Sequence, residues 1–229
     1  MWARCGDGWR CSRPIWLWAS ADVLELASDR MRKVILMTAG RTVIGLSRDW
    51  GTPEKYVAAV RQVFGGQIDL DPCSNKFSIV SAKVEYLLPT QDGLKESWRF
   101  QRIYVNPPYG SDAERGTRIR DWLARCAEAH EGFGSEVLAL VPVATNTGHW
   151  KKYVWGAATA IAFLHDTRLK FLVNGRSTGK GAPMSCAMVY WGTGLVRFRQ
   201  AFSEYGAVVD VRDVHSQMRK AHRQLALVR

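Results

Sequence analysis

The chain has 229 residues, 47% of them hydrophobic, enough to bury one sizeable core in a single domain with insertions. Lysine and arginine total 32 against 21 acidic residues, giving a net charge of +11, which fits a polyanionic partner such as nucleic acid and leaves the fold open. No apolar run approaches the roughly 20 residues needed to span a bilayer, and Cys5, Cys11, Cys73, Cys126 and Cys186 show neither CxxC pairing nor ordered histidine spacing, so we expect reduced thiols in a cytosolic protein without a structural zinc.

The first thirty residues differ from the rest. They hold Trp2, Trp9, Trp16 and Trp18, and their charges cancel, so the whole surplus lies in residues 31–229. Residues 15–21 form a short apolar run without a small-residue cleavage site, which does not read as a signal peptide. We expect an N-terminal extension over residues 1–47, with Met31 or Met37 as alternative starts, a main domain over 48–212, and a basic, helical tail over 213–229.

From Trp50 onward, elements alternate. Residues 53–64 carry Tyr56, Val57, Val60 and Phe64 at helical spacing, and Gly65-Gly66 stops the helix. Residues 68–70 are a short strand ending in Asp71-Pro72-Cys73. A second strand, 103–105, breaks into Asn106-Pro107-Pro108-Tyr109. Residues 117–130 are a helix with Ile119, Trp122, Leu123 and Cys126 on one face. The run EVLALVPV (136–143) fits a strand covered on both sides. Strands at 160–164 and 184–191, a helix at 195–205 and a strand at 207–211 complete the pattern. Such alternation argues for a parallel or mixed doubly wound sheet, with ligands beyond the carboxyl ends of its strands. Asp71-Pro72 and Asn106-Pro107 both follow strands, so both should line that crevice.

The Asn-Pro-Pro-Tyr segment carries the chemistry. Two prolines fix φ and remove two donors, leaving a stiff loop. Its amide, bare carbonyl and aromatic ring suit a planar amino group. Asn106 Oδ1 and the Pro107 carbonyl can accept its two protons, localising the nitrogen lone pair for attack on a methyl donor, while Tyr109 stacks on the ring. A plain proline turn remains the alternative for the loop taken alone.

Taken in order, Trp50-Gly51-Thr52-Pro53, Asp69-Leu70-Asp71-Pro72-Cys73-Ser74-Asn75, Asp92-Gly93-Leu94 and Asn106-Pro107-Pro108-Tyr109-Gly110 resemble the small Dam-like DNA adenine-N6 methyltransferases common in phages and prophages. The resemblance covers about residues 48–191. It implies a Rossmann-like, mostly parallel α/β fold, S-adenosylmethionine as cofactor and double-stranded DNA as partner. Carried over by position, it makes Asn106, Pro107, Pro108 and Tyr109 the catalytic loop. It assigns Trp50, Thr52, Pro53, Asp69, Asp71, Pro72, Cys73, Asn75 and Asp92 to the cofactor. Thr52-Pro53 also reads as a helix cap, and Asp92-Gly93 as an ordinary turn. The glycine-rich continuation of the first cofactor motif is absent. The interval of 21 residues from Asp71 to Asp92 is too short for a crossover helix, a second strand and a further crossover, with Glu85 the only acidic candidate for the ribose in between.

For DNA, Arg115 and Arg118 follow the catalytic loop, and Lys170, Arg176 and Lys180 lie in a basic hairpin or loop around two glycines. Other acceptors for the same chemistry are cytosine N4, an RNA base or a protein glutamine, and a non-catalytic DNA-binding relic of the fold is the alternative outside enzymes.

Overall fold

The computed structural model describes residues 35–38, 41–44, 50–87, 90–112, 115–166, 168–177, 182, 184–214 and 216–217. The chain divides into two compact units, Met1–Ile35 and Leu36–Arg229. Of the basic tail, only the first residues are described.

β1 (Ile35–Thr38) and β2 (Arg41–Ile44) form a two-stranded sheet. β3 (Trp50–Gly51) leads into α1 (Glu54–Val63), whose Tyr56, Val57, Ala59, Val60 and Val63 are buried at helical spacing. Gly65 and Gly66, both at positive φ, end it, and the Gly66 amide returns to the Arg61 carbonyl at 2.7 Å. Then come β4 (Leu70–Ser74), β5 (Val84–Leu87) and β6 (Arg102–Val105). The short strands β7 (Ser111–Asp112) and β8 (Thr117–Arg118) pair before α2 (Ile119–Phe133). β9 (Glu136–Pro142), a π-helical turn (Trp150–Trp155), β10 (Ala160–Leu164), β11 (Leu172–Val173) and β12 (Arg176–Ser177) follow. β13 (Cys186–Trp191), α3 (Leu195–Phe202) and β14 (Gly206–Asp210) complete the order.

The central sheet has seven strands in the order β14-β10-β13-β9-β6-β4-β5. From β5 to β9 every pairing is parallel; from β9 to β14 every pairing is antiparallel. The expected mostly parallel sheet is thus a mixed one. β13 returns between β9 and β10, and β14 adds beyond β10, so the second half pairs in alternating directions.

Period-two alternation along β9 explains the layers. Leu138 and Leu140 face one core with α1 and α3, while Val137, Ala139 and Val141 face another with α2 and the π-helical turn. The second core holds Trp98, Trp122, Trp150 and Trp191, all fully buried. Each such ring removes roughly 150–250 Å² from water, about 4–6 kcal/mol before entropic costs, so these four rings anchor this face of the sheet.

Two sequence expectations change in detail. The Asp71-Pro72-Cys73 segment does not follow its strand but forms the irregular end of β4, where the β4/β5 register shifts between Asp71 and Ser74. A second strand, β5, does fit before Asp92, because among the described residues no helix occupies either connection flanking it.

Candidate active site

The parallel strands bring their carboxyl ends to one edge. β4 ends in Asp71-Pro72-Cys73-Ser74, β6 in Asn106-Pro107-Pro108-Tyr109, and neighbouring β9 in Pro142. The turn at Asp92-Gly93-Leu94 joins them: Asp92 Oδ1 accepts from the Leu94 amide at 3.2 Å, and the Lys95 amide closes on the Asp92 carbonyl at 2.9 Å. Gly93 is required there. A Cβ on it would stand 1.8 Å from the Pro72 carbonyl oxygen, so only glycine lets this turn lie against the end of β4.

The Asn106–Tyr109 loop is held from several sides. Asn106 Nδ2 donates to the Trp50 carbonyl at 2.9 Å. That bond fixes which end of the amide is which and turns Oδ1 away; among the described residues Oδ1 has no partner. The Pro107 carbonyl likewise accepts nothing among them, whereas the Pro108 carbonyl is taken by the Gly110 amide at 3.2 Å. Tyr109 is buried, its hydroxyl donates to the Leu140 carbonyl at 3.0 Å, and its ring meets Phe171 edge to face at 5.7 Å. Phe171 in turn stacks on Trp50 at 5.0 Å. Tyr109 is therefore packed on Phe171, not presented as an open platform.

Thr52 does not cap α1. Pro53 stands at the cap position with no side-chain cap bond, and the buried Thr52 hydroxyl instead shares a 2.7 Å hydrogen bond with Tyr104 of β6. This ties the entry of α1 to the strand that carries the catalytic loop.

The two acids flanking Leu70 have opposite environments. Asp69 is clamped by Arg102, with bonds of 2.8 and 2.9 Å, and by Lys83 at 3.0 Å. Its hydrogen bonds to Arg102 hold its carboxyl below the usual range despite burial. Asp69, just before β4, thus stands in a structural ion-pair network with Arg102 and Lys83. Asp71 is buried without a cation: desolvation pushes its pKa up to about 7, aided by Glu85, its register partner on β5. The Cys73 amide donates to Asp71 Oδ1 at 3.2 Å.

Two buried polar atoms at this edge meet no partner in hydrogen-bonding geometry among the described residues, Asp92 Oδ2 and Ser74 Oγ, although the Ser74 hydroxyl lies close enough to the Asp71 carboxyl to favour its charged form. Lys95 Nζ lies 3.6 Å from Asp92 Oδ2, outside hydrogen-bond range. Orphans of this kind are costly unless a ligand meets them, so this edge suits a polar ligand with donors. Asn75 Oδ1 is already taken by the Phe77 amide at 2.8 Å, which makes it a turn-former. Burial raises the Cys73 thiol well above its ordinary value and Cys186 up to about 12, so neither is a ready base. Among the described residues, no cluster of His, Cys, Asp or Glu could hold a metal ion, and no helix is long and apolar enough to cross a membrane.

The basic residues separate. Arg115 is paired with Asp112 at 2.7 Å and mostly buried, so its charge is already answered. Arg118, Lys170 and Arg176 are exposed and carry no ion pair among the described residues; Lys180 lies outside them. The basic segment is a hairpin: β11 and β12 pair through Asn174 and Gly175, at φ 52 and 73, the geometry of a type I′ turn. β11 also pairs with β3, Leu172 opposite Gly51 and Val173 opposite Trp50. Beside it, a cavity of about 180 Å³ opens between Arg168, Asp166, Met184 and Cys186. Tyr104, Ser74 and Phe171 were not singled out from sequence; each looks like ordinary core or turn until the topology places it at this edge.

A stiff Asn-Pro-Pro-Tyr loop and an acidic edge with unpartnered polar atoms lie together on this mixed α/β sheet, an arrangement suited to holding a planar amino group. A family model described as DNA N-6-adenine-methyltransferase (Dam) matches residues 40–220, and the chain belongs to that family. No curated protein and no solved structure matches it.

Proposed function

We propose that this protein transfers a methyl group from S-adenosylmethionine to the N6 amino group of adenine in duplex DNA, at a short recognised sequence, on a Rossmann-like methyltransferase fold. The observation that carries this reading is the amide orientation of Asn106, which among the described residues leaves Oδ1 and the carbonyl of the next residue, Pro107, as two acceptors without donors of their own. Two N–H bonds from one exocyclic amine satisfy both. Held this way, the amine's lone pair is drawn out of conjugation with the ring and made available for attack. Adenine N6 is hidden within the duplex, so the target base turns out of the stack at a cost of about a few kcal/mol.

The cofactor, when bound, supplies a sulfonium-activated methyl group. Asp71, Ser74 and Asp92 would hold its polar groups, with Glu85, in register beside Asp71, as the carboxylate for the ribose. Trp50, Pro53, Pro72 and Cys73 would shape the walls around them. Tyr109 orders the loop through its Leu140 bond, with its ring packed edge to face against Phe171. Arg118, Lys170 and Arg176 would meet phosphates; for Arg115 the Asp112 pair argues for a structural role.

The test is transfer of labelled methyl to unmethylated duplex DNA, with the product nucleoside identified and Asn106→Ala as control. N6-methyladenine that vanishes in the variant is the expected result. A different methylated base, or cofactor binding without transfer to DNA, would move the acceptor; loss of both would leave a DNA-binding relic.

A further inference from the structure

The Asn106 amide owes its orientation to a backbone carbonyl, and that carbonyl is held by side chains outside the catalytic loop. Trp50 forms half of the two-residue strand β3. Its backbone pairs with Val173 of the hairpin, and its indole stacks on Phe171 at 5.0 Å and 19°. Phe171 closes the circuit by meeting Tyr109 at 5.7 Å and 78°. Gly51 permits the close approach: a Cβ on it would lie 3.3 Å from Leu172 Cβ. At the hairpin's far end, Gly175 packs on Phe77 of the connection after β4, at 3.4 Å from its carbonyl to a Cβ there.

We propose that Trp50 and Phe171 are positioning residues for methyl transfer, because their stack holds the Trp50 carbonyl that fixes the Asn106 amide with Oδ1 toward the acceptor amine. This rests on the methyltransferase reading above. The chemistry is asymmetric. Flipping the amide would set Oδ1 against the Trp50 carbonyl, two acceptors face to face, and would turn an NH₂ group toward an amine that is itself a donor. A carbonyl free to move would remove that bias, and small misplacements at a reacting centre cost roughly up to a hundredfold in rate. A strand of two residues has little ladder of its own, so the aromatic stack is what keeps it in place.

The experiment uses the full chain with Phe171→Leu, which keeps apolar bulk but loses the stack, and Phe171→Tyr, which keeps the ring. Two readouts are taken: hydrogen exchange of the Asn106 carboxamide by NMR, its signals assigned by their loss in Asn106→Ala, and single-turnover methylation of DNA. We expect Phe171→Leu to speed carboxamide exchange at least about tenfold and to lower the turnover rate roughly ten- to a hundredfold, with KM for DNA within about twofold. Phe171→Tyr should restore both. Unchanged exchange and rate in Phe171→Leu overturns the proposal, as does an equal loss in both variants with KM rising in parallel. If Phe171→Leu does not fold, Trp50→Phe against Trp50→Leu asks the same question with the same expected split. A wild-type protein that methylates no DNA would refute the proposed function, while the carboxamide exchange would still decide the positioning role.

Discussion

The two ends of the parallel strands are built on opposite terms. At the amino end every buried charge is answered: Asp69 by Arg102 and Lys83, and Glu136 by Arg197 and by the Tyr190 hydroxyl at 2.6 Å. At the carboxyl end, among the described residues, Asp71 meets no cation, Asp92 Oδ2 has no hydrogen-bond partner, and Asn106 Oδ1 is left open. Asp69 and Asp71 are separated only by Leu70, yet one carboxyl is pushed below its ordinary range and the other up to about 7. Polar groups at one end are spent on stability; at the other they are kept in reserve for a ligand.

The contrast can be broken at either end. The largest effect is expected at the carboxyl end, where Asn106→Ala should lower methyl transfer at least about a thousandfold, roughly 4 kcal/mol of transition-state stabilisation. Its melting temperature should stay near that of the wild type, since one bond to the Trp50 carbonyl is lost; single-turnover assays and thermal melts check both. Next comes the amino end. Arg102→Ala leaves Asp69 only Lys83, half exposed, and should cost about 2–4 kcal/mol in denaturant titrations with the activity of the folded protein intact.

Asp71→Asn tests the sign of the comparison. The folded pKa of Asp71 is raised, so the native state keeps a proton that the unfolded chain gives up near pH 4. The stability from that proton is fully present below about pH 4 and is lost as pH rises through about 7. The asparagine variant should gain on the order of 4 kcal/mol over the wild type at pH 8, gain almost nothing at pH 4, and bind S-adenosylmethionine more weakly. Asp69, whose pKa is lowered, works the other way, stabilising above its unfolded pKa and failing as the solution is acidified. Melts without ligand at both pH values decide this. The smallest effect belongs to Lys95→Ala, less than about 0.5 kcal/mol, because Lys95 is largely exposed and 3.6 Å from Asp92.

Much of this was legible in the sequence, for identifiable reasons. The buried run of β9, the spacing in α1 and the Asn-Gly turn of the hairpin follow local rules that tertiary structure did not override. Asn106 and its prolines were readable because their stiffness is intrinsic. The ion pairing of Asp69 was not legible, because its neighbours in sequence say nothing of Arg102, which approaches only when β6 pairs with β4. Thr52 before Pro53 is a standard capping pattern, and only the packing of β6 shows Tyr104 claiming its hydroxyl. Phe171 stayed hidden for the same reason: its importance comes from what stacks on it.

The connection between β4 and β5, residues 75–83, carries no helix. Parallel strands ordinarily need a crossover of about a dozen residues or more, and closing a chain segment costs entropy that grows with its length. The short span makes Leu70 opposite Val84 a cheap contact to form, whereas Val137 opposite Trp191 waits on a much longer stretch of chain. The pairing that sets Asp71 beside Glu85 can therefore assemble early and locally during folding.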